Sequence, residues 1–374
     1  MRESLFAEHV PRVIAFYLPQ YHPIPENDAW WGKGFTEWTN VTKARPLFRG
    51  HYQPHLPADL GFYDLRVAES REAQADLARQ YGITGFCYYH YWFSGKRLLH
   101  RPFDEVLTSG RPNFPFCLCW ANENWTRIWD GGDSEVLMEQ RYSGEDDRAH
   151  IRWLANAFAD PRYIRVENKP LFIIYHAYKL PNIQKTTATW RDECRRLGIG
   201  EVFLCRVDTG PDVLPPKEVG LDAAVEFHPD RWSMGVRLGC HRLREFRWND
   251  LHFFLRRKLL GDDIIAYNYR HLVSSMSRRI QPDYLRFPCV MPSWDNSPRR
   301  RRGAMLFIES SPKLFHQWLV ARLANLAKST NSPRILFVNA WNEWGEGNHL
   351  EPDQRYGRSY LEALRDALQS VDGR

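Results

Sequence analysis

Eight short, almost unbroken apolar runs punctuate this chain, and they constrain its fold more than any other feature. They read VIAFYL (13–18), ITGFCYY (83–89), FPFCLCW (114–120), PLFIIY (170–175), VFLCRV (202–207), AAVEF (223–227), FPCVMP (287–292) and ILFVNA (335–340). Each has the length of a strand, and none alternates cleanly between apolar and polar residues. A strand that is apolar at nearly every position has to be covered on both faces, as in parallel sheets flanked by helices. Helical patterns fill most of the gaps. Residues 67–81 carry a charged face and stop at Gly82, and 145–158 are amphipathic with an acidic first turn, favourable at a helix N-terminus. Residues 186–197 end at Gly198, a natural C′ glycine, 311–328 open on Ser-Pro, and 357–370 close the chain. Eight strands alternating with helices predict an α/β fold, a (β/α)8 TIM barrel in a single domain spanning 1–374. An open doubly wound sheet fits less well, because of the strand count and because no Gly-x-Gly-x-x-Gly follows a strand.

Two segments exceed what a minimal barrel needs. Residues 19–66 form a long loop after strand 1, rich in Pro, His and Trp. Residues 228–266 form a basic, aromatic insertion after strand 6. Both leave C-terminal strand ends, the face on which barrel active sites are built. The insertion, with Arg299–Arg302, suggests a peripheral contact with a membrane face, a lipid-linked glycan or an acidic substrate. The plainer alternative is an amphipathic helix packed on the barrel.

Composition narrows the function classes. A net charge of +6 is too small to imply nucleic acid. No apolar run approaches the roughly 20 residues of a transmembrane helix. The first ten residues, MRESLFAEHV, do not read as a signal peptide. The seven cysteines are an odd number, several of them inside the apolar runs, and read as free thiols of a reduced, cytoplasmic protein. No cofactor and no metal site is expected. The 15 Trp and 17 Tyr stand out, many in polar stretches where flat rings suit the apolar faces of sugars.

The strand ends carry the candidate chemistry. The first offers Tyr17, Gln20 and His22, with Glu37 and Trp38 in the loop that follows. The second offers Tyr89, His90 and Trp92, the third Asn122, Glu123, Asn124 and Trp125, and the fourth Tyr175 and His176. The fifth ends at Asp208, the sixth at Glu226 and His228, and the seventh at Trp294 and Asp295. The eighth runs into Trp341, Asn342, Glu343, Trp344 and Glu346. A barrel would gather these around one pocket, with Trp38, Trp125 and Trp344 as platforms for sugar rings and an oligosaccharide or polysaccharide as partner.

Glu343 and Glu346 are the expected catalytic pair. Glycines at 345 and 347 let the backbone turn sharply, so that both carboxylates project into one cavity. Two carboxyl groups in a cleft lined by indoles, one raised in pKa and one ionised, are the working parts of glycoside hydrolysis. Two solvated loop glutamates are the structural alternative. His90, His176 and His228 lack metal-ligand spacing and read as hydrogen-bonding pocket residues. No Asp-x-Asp occurs, so the usual metal–diphosphate grip of many sugar-nucleotide transferases is missing.

Six stretches carry a family resemblance: IAFYLPQYHPIPENDAWWGKGFTEWTNV, GFCYYHYWF, CWANENWTRIWDG, KPLFIIY, PSWDNSPRR and NAWNEWGEGNHLEP. Together they resemble the WbsX-type proteins of bacterial polysaccharide gene clusters, usually named as glycosyltransferases. The chain also looks like a relative of glycoside hydrolase family 99, the endo-α-mannosidases, most sharply at the last stretch. The resemblance covers about residues 11–365. It implies a (β/α)8 barrel and retaining chemistry on a glycosidic bond. On that likeness Glu343 resembles the base that deprotonates the sugar 2-hydroxyl. Glu346 resembles the acid that protonates the leaving oxygen. A transferase building O-antigen or capsule, and a sugar-binding barrel without catalysis, are the alternatives.

Overall fold

The structure is a computed structural model that describes residues 11–127, 132–208, 214–230, 264–300, 303–328 and 333–372. Its centre is a nearly closed parallel barrel. The strands are β1 (Arg12–Tyr17), β2 (Gly85–Phe93), β3 (Phe116–Trp120), β4 (Lys169–Ile174), β5 (Phe203–Asp208), β6 (Ala223–Glu226), β7 (in two pieces, Arg286–Phe287 and Cys289–Val290) and β8 (Ile335–Val338). These are the eight apolar runs. Each pairs in parallel with the next, and β8 returns to β1 with Ile14 opposite Phe337. Closure at β7 has a local reason. Pro288 has no N–H to donate, so the ladder breaks there. Arg286–Phe287 pairs with β6 and Cys289–Val290 with β8, while the Pro288 carbonyl still accepts from the Phe337 amide at 2.8 Å.

Helices Ala68–Gln80, Gly144–Phe158, Ile183–Arg196, Pro312–Lys328 and Ser359–Asp372 cover the outside, each close to its predicted span. Local chemistry sets their starts. Ser143 Oγ accepts from the Asp146 amide at 3.1 Å, and Glu145, Asp146 and Asp147 fill the first turn of that helix. Asn182 caps Ile183–Arg196 through the Lys185 amide at 2.9 Å. The region 19–66, expected to be a long loop, contains the short helices Pro25–Trp31 and Glu37–Lys43. Of the insertion 228–266, residues 231–263 lie outside the described residues, as do Arg301 and Arg302. Among the described residues no helix is long and apolar enough to cross a membrane.

Strand alternation divides the side chains between an inner and an outer layer. The Phe16 ring meets those of Tyr89, Phe227 and Phe337 at 5.7, 5.3 and 5.5 Å inside the barrel. Cys87, Cys117, Cys119, Cys205 and Cys289 are completely buried, and with Cys194 they are free thiols, as expected of small apolar core residues. The outer layer holds Trp120 and Phe172 against Trp190 at 5.9 and 5.5 Å.

Candidate active site

The segment after β8 is tied to its neighbours by many bonds. Asn342–Glu343 pairs antiparallel with Asn348–His349, and Trp344–Glu346 forms a 3-10 turn between them. Asn342 clasps the end of β1, accepting from the Leu18 amide at 2.7 Å and donating to its carbonyl at 3.0 Å. The Tyr21 hydroxyl donates to the Asn342 carbonyl, and the Asp295 amide donates to the Glu346 carbonyl at 2.6 Å. Gly347 closes the turn at φ +55°, where a side chain would also crowd Asp295.

This framework brings Glu343 and Glu346 to one guanidinium. Arg299 Nη2 lies 2.8 Å from Glu343 Oε2, and Nη1 lies 2.8 Å from Glu346 Oε1. Its Nε lies 2.7 Å from Oε1 of a third carboxylate, Glu37, at the start of helix Glu37–Lys43. The third contact explains Gly345: a Cβ there would stand 1.7 Å from Glu37 Oε1 and 2.8 Å from Arg299 Nε.

Three carboxylates share one fixed positive charge; Glu37, Glu343 and Arg299 are almost wholly withdrawn from water and Glu346 mostly so, and they cannot all stay ionised cheaply. Burial raises the Glu343 carboxyl to about 8. Arg299 opposes that rise, and Glu346 and Glu37 add to it. Glu346 is also raised, by burial first. Arg299 is itself pushed up, since the three carboxylates more than offset the cost of its burial. The pair therefore holds a shared proton near neutral pH.

Both carboxylates open into a cavity of about 390 Å³ at the C-terminal ends of the strands. Of the predicted residues, Gln20, Tyr89, Glu123, Asn124, Trp125, Tyr175 and Trp294 share its lining with Glu343 and Glu346. In the same lining Glu123 accepts from His176 at 2.9 Å and stands 3.5 Å from Lys179. Burial raises the Glu123 carboxyl, but the contacts with His176 and Lys179 outweigh it and the net shift is down. Glu123 is thus shifted toward the ionised form in the same cavity in which Glu343 and Glu346 are shifted toward the protonated one. Asn122 lies just behind, fully buried, bonded to the His176 amide at 2.7 Å and its carbonyl at 2.9 Å.

The structure places the other predicted residues elsewhere. Tyr17 alternates with the inward Phe16, so it faces the helix layer, donating to Gln74 at 2.6 Å. His90 and Trp92 alternate with Tyr89 in the same way. They stack on helix Gly144–Phe158, His90 on Trp153 at 4.7 Å and Trp92 on His150 at 4.7 Å. Trp341 packs on Phe86 at 5.2 Å. Glu226 lies under helix Pro312–Lys328, paired with Arg322 at 2.8 Å, and His228 packs on Trp318 at 4.9 Å. Asp208 pairs with Arg206 at 2.9 Å. His22 turns back to the Pro19 carbonyl at 3.1 Å, and Asp295 bonds His51 and Gln53 at 2.7 and 2.6 Å.

Two of the three expected sugar platforms are therefore corrected. Trp38 is buried against Tyr21 and Trp344, its indole N–H donating to the Tyr63 carbonyl at 2.8 Å. Trp344 donates to Glu351 Oε2 at 2.6 Å and stacks on His349. Both indoles satisfy their N–H inside the fold and support the turn from behind. Trp125 alone of the three lines the cavity.

Arg299, expected either as a contact for an acidic ligand or as part of a solvated loop, clamps the protein's own carboxylates, while Arg300 lines the cavity. Leu18, Trp31, Tyr91 and Phe227 also line it and were missed. Tyr91 was legible, being two residues beyond the inward Tyr89. Trp31 was not, because it sits on a helix within the long loop.

Three comparisons bear on this arrangement. The family model described as Glycosyltransferase WbsX matches residues 13–364. A protein from Xanthomonas campestris pv. campestris (strain B100), named Uncharacterized protein WxcX, is 44% identical over 369 residues, which cover 98% of this chain and 51% of that protein. The chain thus spans about half the length of the curated relatives it matches. Among solved structures, a glycoside hydrolase-like protein superposes with TM-score 0.59 at 16% identity, covering 96% of this chain and 94% of the other. A GH99 endo-alpha-mannosidase from Bacteroides thetaiotaomicron superposes with TM-score 0.57 at 13% identity, covering 98% of each. At such identities these two likenesses establish the fold alone.

Proposed function

The chain belongs to the WbsX glycosyltransferase family, and from that premise we propose that it is a carbohydrate-active enzyme remaking glycosidic bonds of a bacterial surface polysaccharide, with Glu343 and Glu346 as its catalytic pair. One observation carries the reading. A single guanidinium holds both carboxylates in the lining of a cavity at the C-terminal ends of the strands, and burial raises the carboxyl of each. That is the equipment of general acid–base chemistry at an acetal carbon.

The reaction follows the order that the family 99 resemblance suggests. Glu343 takes the 2-hydroxyl proton as that oxygen attacks the anomeric carbon. The bond to the leaving oxygen breaks, and Glu346 supplies the proton that oxygen needs. Glu346 then deprotonates an incoming hydroxyl, which opens the three-membered ring. Glu343 returns its proton to the 2-oxygen, and configuration at the anomeric carbon is retained. Burial favours the proton on Glu343, the reverse of what the first step needs. A bound sugar moves it: the 2-hydroxyl donates to Glu343, and the leaving oxygen accepts from Glu346. Each contact stabilises the productive arrangement.

Water as the incoming hydroxyl makes the enzyme a hydrolase, and a second sugar makes it a transferase, as the family's name suggests. Purified protein is incubated with oligosaccharides of bacterial surface polysaccharides, with and without sugar nucleotides, and the products are identified by mass spectrometry. Glu343→Gln and Glu346→Gln are each expected to lower turnover by about 10²–10⁴-fold while leaving the fold intact. Turnover within a few-fold of wild type in either variant removes that residue from the mechanism.

A further inference from the structure

A second cavity of about 170 Å³ lies on the other side of Trp294 and Asp295. His55, Asp353 and His349 line it; all three are buried, and their ligand-capable atoms lie within 4.8 Å of one another. They converge from distant parts of the chain, His55 from the segment after β1 and the other two from the segment after β8. His349 Nδ1 lies 2.9 Å from the Glu351 carbonyl oxygen. A carbonyl only accepts, so Nδ1 carries the hydrogen and Nε2 presents a lone pair. Stacking on Trp344, with ring centres 3.7 Å apart, fixes the ring plane. The Nε2 lone pair points to His55 Nδ1 at 2.9 Å and stands 3.9 Å from Asp353 Oδ2. Asp353 Oδ1 is occupied by the Arg355 and Tyr356 amides at 2.9 and 2.6 Å.

We propose that His55, His349 and Asp353 form a binding site for a divalent transition-metal ion of the zinc type, with its remaining coordination position facing the cavity. Three observations converge. Two imidazoles and a carboxylate make a donor set suited to such ions. A ring N–H held by a backbone carbonyl is the usual outer support of a metal-binding histidine. Among the described residues, the only basic side chain within 4.0 Å of the buried Asp353 carboxylate is His349, and buried charges are paired or coordinate metals.

A hydrogen bond from His55 to His349 is the competing explanation of the short contact. Metal entry replaces it by a modest change. Zn–N bonds of about 2.0–2.1 Å at a tetrahedral angle set the two nitrogens about 3.3 Å apart, so the rings separate by a few tenths of an ångström. The hydrogen on His55 Nδ1 passes to its Nε2, which keeps the ring neutral, and Asp353 Oδ2 closes in. The ion then pins the segment after β1 to the one carrying Glu343 and Glu346. The site is independent of what those glutamates do.

The test uses the full chain, free of any tag and dialysed against EDTA. Zn²⁺ is titrated calorimetrically and Co²⁺ by visible absorption, alongside Asp353→Asn and His55→Ala. One equivalent of Zn²⁺ is expected to bind, with Co²⁺ giving the intense d–d bands of a four-coordinate nitrogen–oxygen site. Asp353→Asn should weaken Zn²⁺ at least about tenfold, and His55→Ala should abolish saturable binding. Wild type without saturable binding, or variants that bind as it does, overturns the site. Should a variant fail to fold, the wild-type cobalt spectrum decides alone: its characteristic bands support the site, and a spectrum like that of aqueous Co²⁺ overturns it.

Discussion

Replacing Glu343 by glutamine removes a titrating group without removing its shape, and the structure says how stability should then respond to pH. The carboxyl has an ordinary value of 4.5 when the chain is unfolded and about 8 in the folded protein. Between those values the folded state keeps a proton that the unfolded state has released. Stability from this group is therefore fully present below about pH 4.5 and is lost as pH rises through 8. The slope is about 1.4 kcal/mol per pH unit, so wild type should lose roughly 2–3 kcal/mol between pH 5 and pH 7 relative to Glu343→Gln. Loss of the charged bond to Arg299 shifts the variant's stability by an offset and leaves this slope largely intact. Urea unfolding of both proteins at half-unit steps from pH 5 to 8.5 measures it. A constant difference between the curves would show that Arg299 keeps Glu343 ionised throughout, and the shared-proton argument would fall.

Further expectations follow from the same geometry. Gly345→Ala places a Cβ on Glu37 and Arg299, so the clamp must open; turnover on a glycan substrate should fall at least tenfold, and a crystal structure with the Arg299 contacts unchanged would contradict this. Trp125→Ala should weaken oligosaccharide binding with little change in thermal stability, whereas Trp344→Ala should cost about 3–5 kcal/mol of stability because its indole is wholly inside the fold. Isothermal titration and urea melts on the two variants separate these outcomes. Tyr17→Phe removes only the bond to Gln74 behind the barrel; about 1 kcal/mol of stability should go, with oligosaccharide affinity unchanged.

The barrel was legible because parallel strands covered on both faces leave a plain trace, an apolar run with no alternation. All eight runs became β1–β8, and the helix Gly144–Phe158 began where its acidic first turn said it would. The same continuity hid the direction of each side chain. Where every position is apolar or aromatic, the sequence holds no mark of the inner face, so Tyr17, His90, Trp92 and Glu226 read as pocket residues although the pleat turns them outward. Direction became visible only when the register placed Phe16, Tyr89 and Phe227 together in the interior. The Glu343–Glu346 spacing and its glycines were local, and local chemistry is what a sequence states well. Arg299 and Glu37 reach that pair from 44 and 306 residues away in the chain. Their meeting is a product of barrel closure and of the fold of the long segment after β1. For the same reason His55 could not be paired with His349 and Asp353 before the chain was folded: 294 residues separate the two histidines, and only the tertiary structure sets their nitrogens 2.9 Å apart.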